Sequence, residues 1–183
     1  QEAIDMEALV AQAKEDPEAF GKLYECHVEG IYNYHYRHTS NVAVAEDLTS
    51  RTFYRALRYI HRYRDQKNAS FRSWLYRIAH NLVVNWYRDT SRHPEVSLQQ
   101  AGMLRADQSS PHQFVEQVEE HERLLGLIEQ LPEDRKTLII LKFVAEMTNA
   151  EIGDVLGRTE GAIKSLYYRT LASLRDAVDV EGA

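Results

Sequence analysis

The chain has 183 residues, enough for one ordinary domain or two small ones. Hydrophobic residues make up 44% and charged residues 27%, which excludes wholesale disorder; 8 Gly and 4 Pro are too few for collagen-like, Pro-rich or many-turned all-β classes. The net charge of −6 argues at face value against a nucleic-acid binder.

The charge is distributed in blocks. Residues 1–50 carry net −7, 51–92 net +8, 93–134 net −7 and 135–183 net 0. Alternating blocks imply surfaces with different partners, and the basic one suits a polyanion. A solvated Arg-rich helix face is the plainer alternative. No apolar run approaches the roughly 20 residues of a membrane helix. The opening QEAIDMEALV lacks the basic start of a secretory signal. The single Cys26 cannot form an intramolecular disulfide, which suits a reducing compartment. The expectation is a cytoplasmic chain with no membrane insertion.

Helical periodicity dominates. A first amphipathic segment covers about 4–15, with Ile4, Ala8, Leu9 and Ala11 on its apolar side. Asp16-Pro17 restarts the chain as N-cap and first helical residue. The next helix runs to about His38, with Phe20, Leu23, Tyr24, His27, Ile31 and Tyr34 recurring at spacings of three and four. Thr39-Ser40-Asn41 is a turn. A third helix spans about 42–61 and is expected to bury Val44, Leu48, Phe53, Ala56, Leu57 and Ile60. Arg62–Ser70 is a polar loop. A fourth helix, about 71–89, has the stripe Phe71, Trp74, Leu75, Ile78, Leu82, Val83 and Trp86. Its other face shows Arg72, Arg77, His80, Asn81, Asn85 and Arg88. Residues 92–112 lose periodicity and read as a linker.

The C-terminal part is again helical, over about 113–130 and 132–145. Thr148 then caps a short helix, and Glu151 completes a capping box. Gly157 ends it, and Thr159 caps a last helix to about Val178. Residues 148–178 thus read as helix, tight Gly turn, longer helix, the arrangement that places a second helix in a DNA major groove. Ile152, Val155, Leu156, Ile163, Leu166, Leu171 and Leu174 are spaced to pack the pair. Thr159, Glu160, Gly161, Lys164, Ser165, Tyr168 and Arg169 fall at its start or on the face left exposed. A plain αα-hairpin is the competing reading.

Four stretches resemble the bacterial RNA polymerase sigma factors of the extracytoplasmic-function (ECF) group, in the sigma-70 superfamily. AEDLTSRTFYRAL (45–57) is similar to the core-binding helix of region 2. SFRSWLYRIAHNLVVNWYR (70–88) resembles the promoter −10 helix. LPEDRKTLIIL (131–141) resembles the start of region 4, and TNAEIGDVLGRTEGAIKSLYYRTLASLR (148–175) its −35-reading helix-turn-helix. The four occur in the family's order, separated by a linker.

The resemblance implies an all-α fold of two small helical bundles joined by a linker. Region 2 would occupy 1–91, the linker 92–112 and region 4, with the helix-turn-helix, 113–183. The implied partners are RNA polymerase core, through its β′ clamp and β subunits, promoter DNA, and an anti-sigma factor of the kind that restrains many family members. Asp47 matches the acidic position that grips the β′ clamp, with Ser50, Arg51 and Arg55 beside it. The family usually has Gln where this chain has Ser50, so that side chain has less reach. Arg51 and Arg55 are placed for polymerase or for DNA.

The family loop before the −10 helix captures a flipped base, and Tyr63 to Ser70 match it in position. Tyr63, Arg64, Lys67, Arg72, Arg77, Asn81 and Arg88 are the −10 candidates. Asn81 can read a base edge, and the cations supply backbone contacts. Thr159, Glu160, Lys164, Ser165, Tyr168 and Arg169 are the −35 candidates. The family linker threads polymerase channels that carry nucleic acid, and the acidic 93–134 stretch suits such a placeholder.

No phosphate-cradling Gly loop, HExxH or nucleophile elbow occurs. Cys26, His27, His35 and His38 crowd one helix but are too far apart along it to converge on a metal alone. The expectation is therefore no catalytic residue, no metal and no cofactor. The competing function is a stand-alone helix-turn-helix repressor or activator, which would bind DNA as a free dimer.

Overall fold

The computed structural model describes residues 5–64, 70–92 and 124–181. Lys67, the expected linker beyond Arg92 and the first part of the helix expected from 113 lie outside them. Helix α1 is Met6–Ala13, α2 Pro17–Thr39 and α3 Val42–Tyr59, continued by one 3-10 turn, Ile60–Arg62. Helix α4 is Phe71–Arg92. A helical stretch at 124–129 precedes α5, Glu133–Phe143; α6 is Asn149–Leu156 and α7 Glu160–Glu181. The fold is all-α.

The helix ends follow from local chemistry. The Asp5 carboxylate accepts from the amides of Glu7 and Ala8 and starts α1. Asp16 accepts from the Glu18 amide at 2.9 Å, with Pro17 in the first turn of α2. Ser40 closes α2 in the left-handed region, at φ 49°, and Asn41 caps α3 through the Val44 amide at 3.0 Å.

Helices α1 to α4 enclose a core of Leu23, Ile31, Tyr34, Leu48, Ala56, Leu75, Ala79 and Leu82. The α1 stripe is rotated; the α3 stripe keeps Leu48, Phe53, Ala56 and Ile60 inside and departs at Leu57. In α1, Ala8 and Ala11 are exposed, and the inner face is Leu9, Val10 and Ala13, one helical phase away. In α3, Leu57 is 47% exposed. The inward positions go instead to Thr49 and Thr52, whose hydroxyls donate to the carbonyls of Ala45 and Leu48 and so carry no unpaired polar group inside. Tyr24 also stays outside, its ring edge-on to Phe53 at 4.7 Å. Gly30 lets α4 approach α2: a Cβ there would lie 2.8 Å from the Tyr76 hydroxyl.

The two bundles are packed on one another. Helix α6 lies along α4 and α5 touches α2. The apolar cluster therefore runs on without interruption through Leu138, Leu141, Met147, Ile152, Val155, Ile163 and Leu166.

His35 is fully buried, with its Nε2 3.0 Å from the Thr52 hydroxyl, and burial holds its pKa down at about 3. The imidazole is thus neutral in the fold, whereas the unfolded chain takes up a proton near pH 6.5. The stability this group contributes is complete above that value. Below it, stability falls by about 1.4 kcal/mol per pH unit until the folded-state value is reached. Urea unfolding at pH 7.5 and 5.5 is expected to show the loss, and His35→Gln to remove one proton from the slope.

Candidate nucleic-acid interface

The helix-turn-helix is fixed by its ends. The Thr148 hydroxyl accepts from the Glu151 amide at 3.2 Å, and the Glu151 carboxylate accepts from the Thr148 amide at 2.9 Å. Gly157 ends α6 at φ 65°. The Thr159 hydroxyl accepts from the Ala162 amide at 3.2 Å and starts α7. Ile152, Val155, Ile163 and Leu166 close the angle between the helices. Leu171, expected in this seam, is instead 37% exposed and lines an apolar groove with Leu124, Leu125, Ile128, Phe143 and Val144.

Gly153, inside α6, is the position under the turn that periodicity does not reveal. A Cβ there would stand 2.6 Å from the Arg158 carbonyl oxygen. The Arg158 amide donates back to the Gly153 carbonyl at 2.9 Å, and its guanidinium pairs with Asp134 at 3.4 Å. The turn is thus tied both to α6 and to α5.

Thr159, Glu160, Lys164, Ser165, Tyr168 and Arg169 are all exposed. Lys164 pairs with Glu160 at 2.9 Å, and that hydrogen bond raises its pKa. Arg169 Nε donates to the Ser165 carbonyl at 3.2 Å. Tyr168 is 71% exposed.

On α3, Asp47, Arg51 and Arg55 recur every fourth residue with Ser50 between them, and so share one face. Asp47, Ser50 and Arg51 are exposed and Arg55 is half-buried. The Asp47 carboxylate pairs with Arg51 at 3.4 Å. On α4, Arg77, Asn81 and Arg88 are exposed along one face, while Arg72 is half-buried and turned away from them by the helical period. Arg88 donates to the Asn85 side chain at 2.6 Å.

Two expected positions differ. His80 does not point outward: its Nδ1 lies 3.1 Å from the Tyr34 hydroxyl, inside. Tyr63 is buried too, in an aromatic cluster with Phe71 at 5.7 Å and Trp74 at 5.4 Å. The cluster forms because these apolar rings are brought together where the 3-10 turn leads toward the start of α4. Tyr63 nonetheless walls a cavity of about 320 Å³ shared with Met6, Val10, Lys14, Ser70 and Phe71. The Lys14 ammonium sits 5.8 Å from the Tyr63 ring centre. Arg64 is exposed.

The basic face of α4 is not wholly free. Arg77 acts electrostatically on Asp154 of α6, partly offsetting the burial that raises that carboxyl. Asp154 Oδ2 is buried without a hydrogen-bond partner. Among the described residues no helix is long and apolar enough to cross a membrane.

Gly153→Ala is expected to destabilise the fold by about 1–3 kcal/mol, because the methyl group meets backbone that cannot yield. Gly161→Ala, with nothing within 4 Å of its Cβ, is expected to stabilise by about 0.5–1 kcal/mol. Denaturant titration of the two variants checks the contrast.

Residues 23–93 match the Sigma-70 region 2 family, and residues 121–174 match Sigma-70, region 4. The ECF RNA polymerase sigma factor BldN of Streptomyces coelicolor is 35% identical over 164 residues, covering 90% of this chain; the chain spans only 61% of that relative's length. The ECF RNA polymerase sigma factor SigW of Bacillus subtilis is 31% identical over 170 residues, covering 88% of this chain and 90% of the relative. Among solved structures, CnrH in complex with the cytosolic domain of CnrY shares the fold, with TM-score 0.69 at 22% identity over 96% of this chain and 97% of that one. The sigma factor RpoE in complex with the anti-sigma factor NepR from Bartonella quintana gives 0.61 at 18% identity, over 88% of this chain and 97% of that one. With its helix-turn-helix, its basic α4 and these matches, the chain belongs to the ECF RNA polymerase sigma factors of the sigma-70 family.

Proposed function

We propose that this chain binds RNA polymerase core, directs it to promoters and stabilises the melted DNA, without catalysing a reaction itself. One observation carries the reading: a capped helix-turn-helix and a separate basic helix present two exposed polar surfaces on one chain. Region 2 spans residues 1–91 and region 4 residues 113–183 in this reading, joined by the linker 92–112.

The α3 ridge of Asp47, Ser50, Arg51 and Arg55 meets the polymerase β′ clamp. A carboxylate already held 3.4 Å from Arg51 can exchange that partner for a guanidinium of the clamp, and desolvation strengthens the new pair. Arg64, Lys67, Arg77 and Arg88 neutralise the −10 backbone, Arg72 being turned away from them, and Asn81 offers both donor and acceptor to a base edge. An unstacked base enters beside Tyr63, where the aromatic wall and Lys14 return part of the unstacking cost. Tyr63 acts there as a wall, not as a protruding ring.

On α7, Thr159, Glu160, Lys164 and Ser165 stand at the end that reaches bases first, and Tyr168 and Arg169 stand one turn on, toward phosphates. The apolar groove beside Leu171 suits a protein partner better than DNA. Structures similar to this one were solved with CnrY and with the anti-sigma factor NepR, which supports an anti-sigma factor among this chain's partners.

Binding to purified core polymerase tests the reading. Asp47→Ala is expected to weaken core binding about tenfold or more. In the holoenzyme, Lys164→Ala is expected to weaken promoter binding and to lower the log–log salt slope by about 1. Fluorescence anisotropy over a salt series measures both. Absence of core binding, together with a free dimer that shifts duplex DNA, would establish a stand-alone regulator instead.

A further inference from the structure

The C-terminal bundle docks on the N-terminal one through α2, α4, α5 and α6. Beside this junction lies His38, in the last turn of α2 and only 3% exposed. Neither of its ring nitrogens has a hydrogen-bond partner. The ring packs edge-on to Tyr34 at 4.7 Å and to Tyr87 at 6.2 Å. The Tyr87 hydroxyl donates to the His38 carbonyl and so ties α4 to the end of α2. From α5 comes Lys136, itself buried, whose positive charge acts on His38.

We propose that this junction is a proton-sensitive latch: protonation of His38 releases the C-terminal bundle from α4. The titratable groups around His38 are Tyr34 and His35 on α2, His80 and Tyr87 on α4, and Lys136 on α5, with Glu133 of α5 acting on Tyr34 and Tyr87. A neutral imidazole leaves one N–H unpaired there. An imidazolium has two N–H donors and a full charge, with no acceptor in reach and an ammonium nearby. Burial first, then Lys136, holds the pKa of His38 well below the ordinary histidine value.

The sign follows. The closed form binds this proton less readily than an open form in which water reaches the ring. Closure is complete above about pH 6.5 and weakens as the pH falls below it. Moving α5 away relieves both causes at once and leaves the packing of α1 to α4 intact. His80 is the weaker trigger, because Glu133, Asp134 and Arg158 share a cavity of about 290 Å³ with it and the two carboxylates would meet its charge.

The release has a consequence for Arg77, which lies opposite Asp154 of α6 in the closed arrangement. Opening frees it and the adjoining face of α4. That this face is the −10 surface rests on the sigma reading above; the latch does not.

The test uses the full chain and needs neither polymerase nor DNA, so its failure and that of the sigma reading are separable. Cys26 is exposed on α2 and accepts one spin label; Ser173→Cys on the exposed side of α7 accepts the other. Distances between them are measured from pH 7.5 to pH 5, with far-ultraviolet circular dichroism on the same samples. The expected result is a single distance at pH 7.5 that lengthens below about pH 6.5 while helicity is retained. His38→Phe, which fills the aromatic site and cannot titrate, is expected to stay closed throughout. His38→Gln, polar but without a proton to gain in this range, is expected to stay closed as well, and decides the matter if His38→Phe does not fold. An unchanged distance, lengthening only together with loss of helix, or opening of His38→Phe or His38→Gln at the wild-type pH overturns the proposal.

Discussion

Helix α4 is packed from two sides, and the arrangement of the whole molecule depends on that. Its inner stripe, Leu75, Ala79, Leu82 and Val83, closes the N-terminal core. A second flank, with His80, Val84 and Tyr87, faces α5 and the α6–α7 turn across the junction cavity. A helix with one apolar stripe organises one bundle; a second contact face joins two. The basic residues are confined to what remains between these flanks. The same geometry therefore fixes where Arg77, Asn81 and Arg88 stand and how much of that face the C-terminal bundle covers.

Sequence patterning reads the first of these faces well and the second poorly. The order and type of the helices were legible because caps and periodicity agree: Asp16-Pro17, the Thr148–Glu151 box and Gly157 each do the local job their chemistry requires. The exposed row on α7 was legible for the same reason, since it is what the buried seam leaves over. The docking of α6 on α4 was not. Beside the continuous apolar cluster it brings together side chains that look polar in sequence, His80, Tyr87 and Asp154, and no period marks them. Nor does a period mark Gly30 or Gly153, whose missing Cβ matters only once the opposing atom is in place.

Aromatic residues are the other place where pattern and fold part, Tyr63 and His80 turning inward and Tyr24 outward. Tyr and His count as boundary residues in a hydropathy pattern because each has an apolar body and a polar tip. Inside this fold their tips find partners: Tyr34 with His80, His35 with Thr52, Tyr87 with the His38 carbonyl. That pairing lets the end of α2 be buried beside α4 although it is written in Tyr and His. His38 is the member of the set whose ring has no such partner. A polar group tolerated rather than satisfied is one that a change of conditions can turn against the packing around it.

The acidity of the chain and its DNA-binding role are reconciled by where the charges sit. Most of the +8 of residues 51–92 lies on α3, the 3-10 turn and α4, flanked in sequence by blocks of −7. Within the fold, several cations are already engaged: Arg51 by Asp47, Arg158 by Asp134, Lys164 by Glu160. Such exposed pairs contribute little to stability, because solvent screens them. Each must nevertheless be given up before the cation can neutralise a phosphate, which lowers the affinity of either surface alone. Two weak surfaces on one chain become a strong site when something holds them at the separation of two DNA elements, since the second contact is then made at a high effective concentration. In the closed arrangement α6 lies on α4, so that separation is not available to the free chain. On this view polymerase supplies geometry rather than charge, and the specificity carried on α4 and α7 is expressed only where both can be read at once.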